Sequence, residues 1–250
     1  MSGSELQAIV ERSYHTFKRY KAIVPLDACT HCCLNENQES ELVSLSVRLI
    51  PFELLYDYNT AAKTPKPSID EFKHFLPRIL DYTAQLKFLH HSAELVLSRF
   101  EYYDKGQWNK EEQQLIQSFG LAFFQHCLTV YPLPELERID SVLIMLKKAN
   151  VDIGPLLFHW TSMANQESIL HFNDLISQSF EDHNPNKLMN SFSDNELSDL
   201  LVEWLNEDST KNHFLRALEN FILEPPPNMD ENKIIELSWS YEKIKARNAS

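Results

Sequence analysis

SIDEFKHFLPRILDYTAQL, residues 68–86, is the stretch on which the reading of the fold turns. Ile69, Phe72, Leu76, Ile79, Leu80, Thr83 and Leu86 recur at three- and four-residue steps, which places them on one apolar helix face. Ser68 followed by Glu71 reads as a capping box at the helix start. Pro77 lacks the N–H that the Lys73 carbonyl would accept, and its ring crowds that turn, so a kink or break is expected there. Working outward, Asn109 with Glu112 and Ser193 with Glu196 repeat the start signal ahead of further amphipathic runs.

The same signals predict helices over 4–20, 39–46, 51–62, 69–87, 92–103, 110–130, 134–149, 155–163, 165–180, 194–206, 209–223 and 231–246. Breakers separate them at Pro65 and Pro67, Asp104 to Gly106, Pro132 and Pro134, Gly154-Pro155, Asn184-Pro185, and Pro225 to Pro227. The last of these is a stiff polyproline spacer. Short loops between the middle helices favour antiparallel neighbours, and no fixed repeat period supports a regular solenoid. The expected fold class is all-α, an irregular multi-helix bundle or helical superhelix of about ten to twelve helices. A seam at Asp104 to Asn109 is expected to divide an N-terminal part, 1–104, from a C-terminal part, 109–250, with one continuous domain as the alternative.

Composition narrows the function classes. The 250 residues carry 36 acidic and 23 basic side chains, a net charge of −13 that repels phosphate backbones and speaks against nucleic acid. No apolar run is long enough for a membrane helix, and the mixed N-terminus does not read as a signal peptide, so a cytoplasmic protein without a membrane partner is expected. Four isolated glycines, Gly3, Gly106, Gly120 and Gly154, leave no glycine-rich loop for a Rossmann or P-loop phosphate site. His-Glu-x-x-His, paired Glu-x-x-His and Gly-x-Ser-x-Gly patterns are absent from the sequence as well. Between Asn190 and Ser209 stand Asp194, Glu196, Asp199, Glu203, Glu207 and Asp208 with no Lys or Arg. That run reads either as a solvated helix face or as a docking surface for a basic partner.

Two short segments hold the chemistry-bearing residues. Cys29-Thr30-His31-Cys32-Cys33 gathers three of the four cysteines. Cys29 and Cys32 have the spacing of a zinc knuckle, with Cys33 or His31 and a distant His74 as further donors. One knuckle is half a site, so thiols packed against the helices stand beside zinc as the alternative reading. Covalent haem attachment does not fit, because Cys33 rather than a histidine follows Cys32. In the second segment Asp70, His74 and Arg78 step by four and would form one polar stripe on the helix. Cys127, in the apolar run Phe119 to Tyr131, reads as a small core residue, and Trp204 as core on the apolar face of the acidic helix.

The early Cys-x-x-Cys together with the Phe-x-His-Phe-Leu-Pro-Arg helix resembles a family of uncharacterised bacterial proteins. The likeness spans Pro25 to Tyr82. It implies a bacterial cytosolic protein in which Cys29, Cys32, Phe72, His74, Pro77 and Arg78 belong to one shared feature. Family members often carry Tyr at the position of His74, and the likeness brings no catalytic role. The functional expectation is therefore a cytosolic helical protein-interaction module with an acidic surface, a protein partner of basic character, and a structural zinc knuckle as an added feature. The alternative is a metal- or thiol-dependent enzyme centred on Cys29, Cys32 and His74.

Overall fold

The computed structural model describes residues 2–29, 33–181, 184–227 and 229–247. Among them eleven α-helices follow one another. The first five are α1 (Ser2–Thr16), α2 (Glu36–Ser44), α3 (Phe52–Thr60), α4 (Ile69–Ala84) and α5 (Lys110–Cys127). Then come α6 (Ile139–Lys148), α7 (Ile153–Thr161), α8 (Gln166–Gln178), α9 (Asn195–Asn206), α10 (Asp208–Leu223) and α11 (Glu231–Ala246). The chain is all-α, as its periodicity predicts. One short antiparallel hairpin, β1 (Phe180–Glu181) with β2 (Asn184–Leu188), falls where only a break at Asn184-Pro185 was expected. None of the described helices is long and apolar enough to cross a membrane.

α4 buries Phe72, Phe75, Leu76, Ile79, Leu80 and Thr83, essentially the face its spacing marks. Its start differs in detail. Ser68 accepts from the Glu71 amide, but the Glu71 carboxylate does not complete the box, being taken by the Asp27 amide and the Tyr58 hydroxyl. α4 runs through Pro77 without a break. At α5 the reciprocal box is complete: the Glu112 amide donates to Asn109 Oδ1 and the Asn109 amide to Glu112 Oε2. At α9 the cap is Asp194, one residue beyond Ser193, accepting from the Leu197 amide at 2.8 Å.

Residues 92–103, expected as an α-helix, form two 3-10 turns, Ala93–Leu95 and Ser98–Tyr102. The cause is tertiary. Asn59 Nδ2 donates to the carbonyls of Leu89 and Val96, diverting an acceptor that a regular helix would use internally. The 134–149 helix likewise begins late, at Ile139, because Glu135 and Leu136 adopt positive φ.

The chain divides into two compact units, 1–123 with 145–151, and 124–144 with 152–250. The division falls within α5 and again within α6, and Asp104–Asn109 lies inside the first unit. Trp108 stacks on Phe100 at 4.6 Å and packs edge-on against Phe72, so chain on both sides of that seam shares one core. Lys73 and Glu112 pair at 2.9 Å with both side chains almost wholly buried. Glu112 also accepts from Tyr20 Oη, Arg19 and the Asn109 amide, and the Lys73 ammonium donates to the Gln107 carbonyl. Gly120 sits where a Cβ would stand 2.6 Å from Val151 Cγ1, so α5 needs glycine to approach that turn.

The second unit is built on aromatics. Phe172 and Phe214 stack at 3.6 Å, Trp160 and Trp204 at 5.3 Å, and Trp160 meets Phe124 edge-on. Cys127 is fully buried, and that burial pushes its thiol far above the ordinary range, as befits a small core residue. Lys233 joins α11 to α8 by bonding Asp174 at 2.9 Å, beside its neighbour Glu236.

Lys73→Met leaves the Glu112 carboxylate buried without its ammonium and is expected to cost about 3–5 kcal/mol in urea unfolding. A loss below about 1 kcal/mol would show that the pair does not hold this core. Gly120→Ala should destabilise by about 1–3 kcal/mol despite alanine's better helix propensity, because the added methyl would overlap the buried Val151 side chain. An unchanged unfolding midpoint would contradict the close approach.

Candidate functional site

The cysteine loop is tied down by carboxylates. The Leu26 amide donates to Glu39 Oε1 at 2.9 Å and the Asp27 amide to Glu71 Oε2 at 2.8 Å. Asp27 in turn accepts from Thr64 Oγ1 and the Ser68 amide, and the Cys29 amide donates to the Ala62 carbonyl at 2.7 Å. Cys29 and Cys33 are half-buried. Thr30, His31 and Cys32 lie outside the described residues, and with them the knuckle's second thiol. Among the described residues no group of three His, Cys, Asp or Glu side chains could hold a metal ion.

Beside this loop stands a cluster that the residue pattern did not announce. Lys63 Nζ and Arg99 Nη2 both donate to the Tyr58 carbonyl, at 2.6 and 2.7 Å, while the guanidinium lies 3.7 Å over the Tyr58 ring. The Tyr58 hydroxyl donates to Glu71 Oε1 at 2.8 Å. Burial, helped by the Arg99 charge, brings the Lys63 ammonium down to about 6, and burial pushes Glu71 up. Burial and then His91 bring His90 down to about 4. The cluster couples α3, α4 and the 3-10 turn at Arg99 through groups 13 to 41 residues apart, a relation that no local spacing encodes.

His74, Asp70 and Arg78 do not act as one stripe. His74 Nδ1 lies 3.1 Å from the Tyr20 carbonyl, an acceptor only, so Nδ1 carries the hydrogen and Nε2 keeps the lone pair. Burial, and the charge of Lys21, hold its pKa below the ordinary value. The ring lines a cavity of about 330 Å³ with Tyr14, Lys18, Lys21, Arg48 and Pro77, and among the described residues no cysteine reaches that lining. Arg78 instead ties α4 to the loop before α3, donating to the Ile50 carbonyl, Asp81 and the Tyr82 hydroxyl. Asp70 is exposed. The described part of the cysteine loop meets α4 at Glu71, whereas His74 is turned to Tyr20.

In the second unit, α7 and α9 enclose a cavity of about 270 Å³ lined by Leu157, Phe158, Leu200, Trp204, Glu203 and Glu207, among others. Trp204 is buried, with its indole N–H donating to Thr161 Oγ1 at 2.9 Å, so it packs as expected. Phe158 is the departure: on α7 it is 81% exposed. All six acidic residues from Asp194 to Asp208 occupy exposed positions. Glu203 and Glu207 pair with no cation among the described residues.

Compared with protein-family models, with curated proteins and with solved structures, the chain matches none.

A lysine lowered from 10.5 to about 6 binds fewer protons folded than unfolded between those pH values, so its contribution to stability rises as pH climbs through that window. Urea midpoints of the protein and of Lys63→Met are therefore expected to change in the parent's favour between about pH 6.5 and 9.5. A difference that stays flat with pH would show Lys63 charged in the fold.

Proposed function

We propose that the chain is a protein-interaction module that seats a basic amphipathic helix in the α7–α9 groove. The observation that carries this is Phe158, exposed at the groove while two unpaired carboxylates, Glu203 and Glu207, line it. An exposed aromatic beside a shallow apolar cavity suits an anchoring side chain, and carboxylates along the rim suit lysines or arginines at the next helical positions. The absence of Lys and Arg from residues 190–209 extends the same field along α9, which would steer a cationic partner toward the groove. The competing reading, a thiol or metal enzyme on Cys29, Cys32 and His74, rests on residue types, and His74 already serves the Tyr20 carbonyl.

The direct test is calorimetric titration with a synthetic helix carrying leucines on one face and lysines on the other. Saturable binding that weakens with salt is expected, lost by about tenfold or more in Phe158→Ser and in Glu203→Lys/Glu207→Lys. Phe158 and both glutamates stand at the surface, so these variants should unfold at the parent's midpoint. Equal binding by the variants, or by a scrambled peptide of the same charge, would refute the groove.

A further inference from the structure

The geometry points to a small-molecule site in the first unit: a cleft beside Trp108 that takes a hydroxyl-bearing anion of sugar or polyol size. The cleft encloses about 830 Å³, within the range of small-molecule pockets. Its lining runs against the character of the chain. In a protein of net charge −13, Arg12, Lys105 and Lys110 converge on it, while Glu111 is its sole carboxylate among the described residues. None of the three cations has an ion-pair partner among the described residues, whereas Glu111 accepts from Thr16 Oγ1 at 3.3 Å. An unpaired cationic lining raises the local concentration of anions at the cleft.

The second observation is independent of charge. Trp108 is 5% exposed, and its indole Nε1 is buried without an acceptor. Phe100 stacks on the indole at 4.6 Å, and the Lys73 ammonium lies 4.7 Å from the ring centroid. Trp108 lines the cleft, so a donor whose hydrogen bond is unmade stands beside it. Gln113 supplies the complement. Its amide nitrogen donates to the Lys105 and Trp108 carbonyls at 3.1 and 2.8 Å, which fixes the side chain and leaves Oε1 as an acceptor.

A buried donor, an oriented acceptor and three cations together match a ligand that carries hydroxyls and an anionic group. The anionic group can be a phosphate or a carboxylate; the hydroxyls are common to both.

The experiment is a titration of 15N-labelled protein with glucose 6-phosphate, gluconate, glucose and inorganic phosphate, following the indole N–H resonances. Trp108 is assigned by its loss in Trp108→Phe. We expect the Trp108 indole resonance to move saturably with glucose 6-phosphate or gluconate, the tighter of the two identifying the anionic group, and not with glucose. Arg12→Gln and Lys105→Gln, both at exposed unpaired side chains, should weaken that binding by about tenfold each while leaving the spectrum otherwise unchanged. An unmoved Trp108 resonance, variants that bind as the parent does, or inorganic phosphate binding as tightly as glucose 6-phosphate or gluconate would overturn the proposal.

Discussion

An ammonium and a carboxylate with almost no solvent contact, Lys73 and Glu112, hold the first unit together from α4 to α5. Neither charge is tolerable there alone; a buried ion needs a partner and further hydrogen bonds for its remaining donors and acceptors. The surroundings supply them. Tyr20, Arg19 and the Asn109 amide complete Glu112, and the Gln107 carbonyl with the rings of Tyr20 and Trp108 completes Lys73. The chain after α1, the middle of α4 and the start of α5 are thus set by one another. Trp108 is held in the same act, stacked on by Phe100 and met by the ammonium, and it lines the neighbouring cleft.

A second brace repeats the logic with different chemistry. The Tyr58 carbonyl gathers Lys63 and Arg99, its hydroxyl reaches Glu71, and Glu71 holds the Asp27 amide of the cysteine loop. Carboxylates that helix-capping logic would assign to helix ends are used as tertiary ties. The described part of the cysteine loop is accordingly positioned by Glu39 and Glu71, which accept from its backbone amides, and by Asp27, which accepts from Thr64 and Ser68, with Cys29 itself anchored through its amide.

Charge is distributed by role in the two units. In the second, the acidic residues of 194–208 all stand outward along α9 and its flanks, around a groove where Phe158 is uncovered. In the first, Lys73 and Arg99 are buried in braces, while Arg12, Lys105 and Lys110 gather unpaired at a cleft. A single net charge of −13 hides both arrangements. That is why composition pointed to a basic partner and passed over a pocket of the opposite character.

Local physics sufficed for the elements. Apolar spacing in residues 68–86, the Asn109–Glu112 box and the proline breaks set helices whose ends agree with the structure within a few residues, because caps and amphipathic faces depend on neighbours three and four positions away. The all-α class follows from that alone. Where a distant group intervenes, local reading fails: Asn59 turns 92–103 into 3-10 turns, and Glu71 leaves its cap for Asp27 and Tyr58. The candidate sites belong to this second kind. Cysteine spacing and a four-residue polar stripe were visible in the chain, but His74 and Arg78 are claimed by Tyr20 and Ile50, and Lys63 with Arg99 converges on Tyr58. Which charges are buried, which aromatic stays exposed and which N–H lacks an acceptor are decided by residues tens of positions apart, and only folding brings those together.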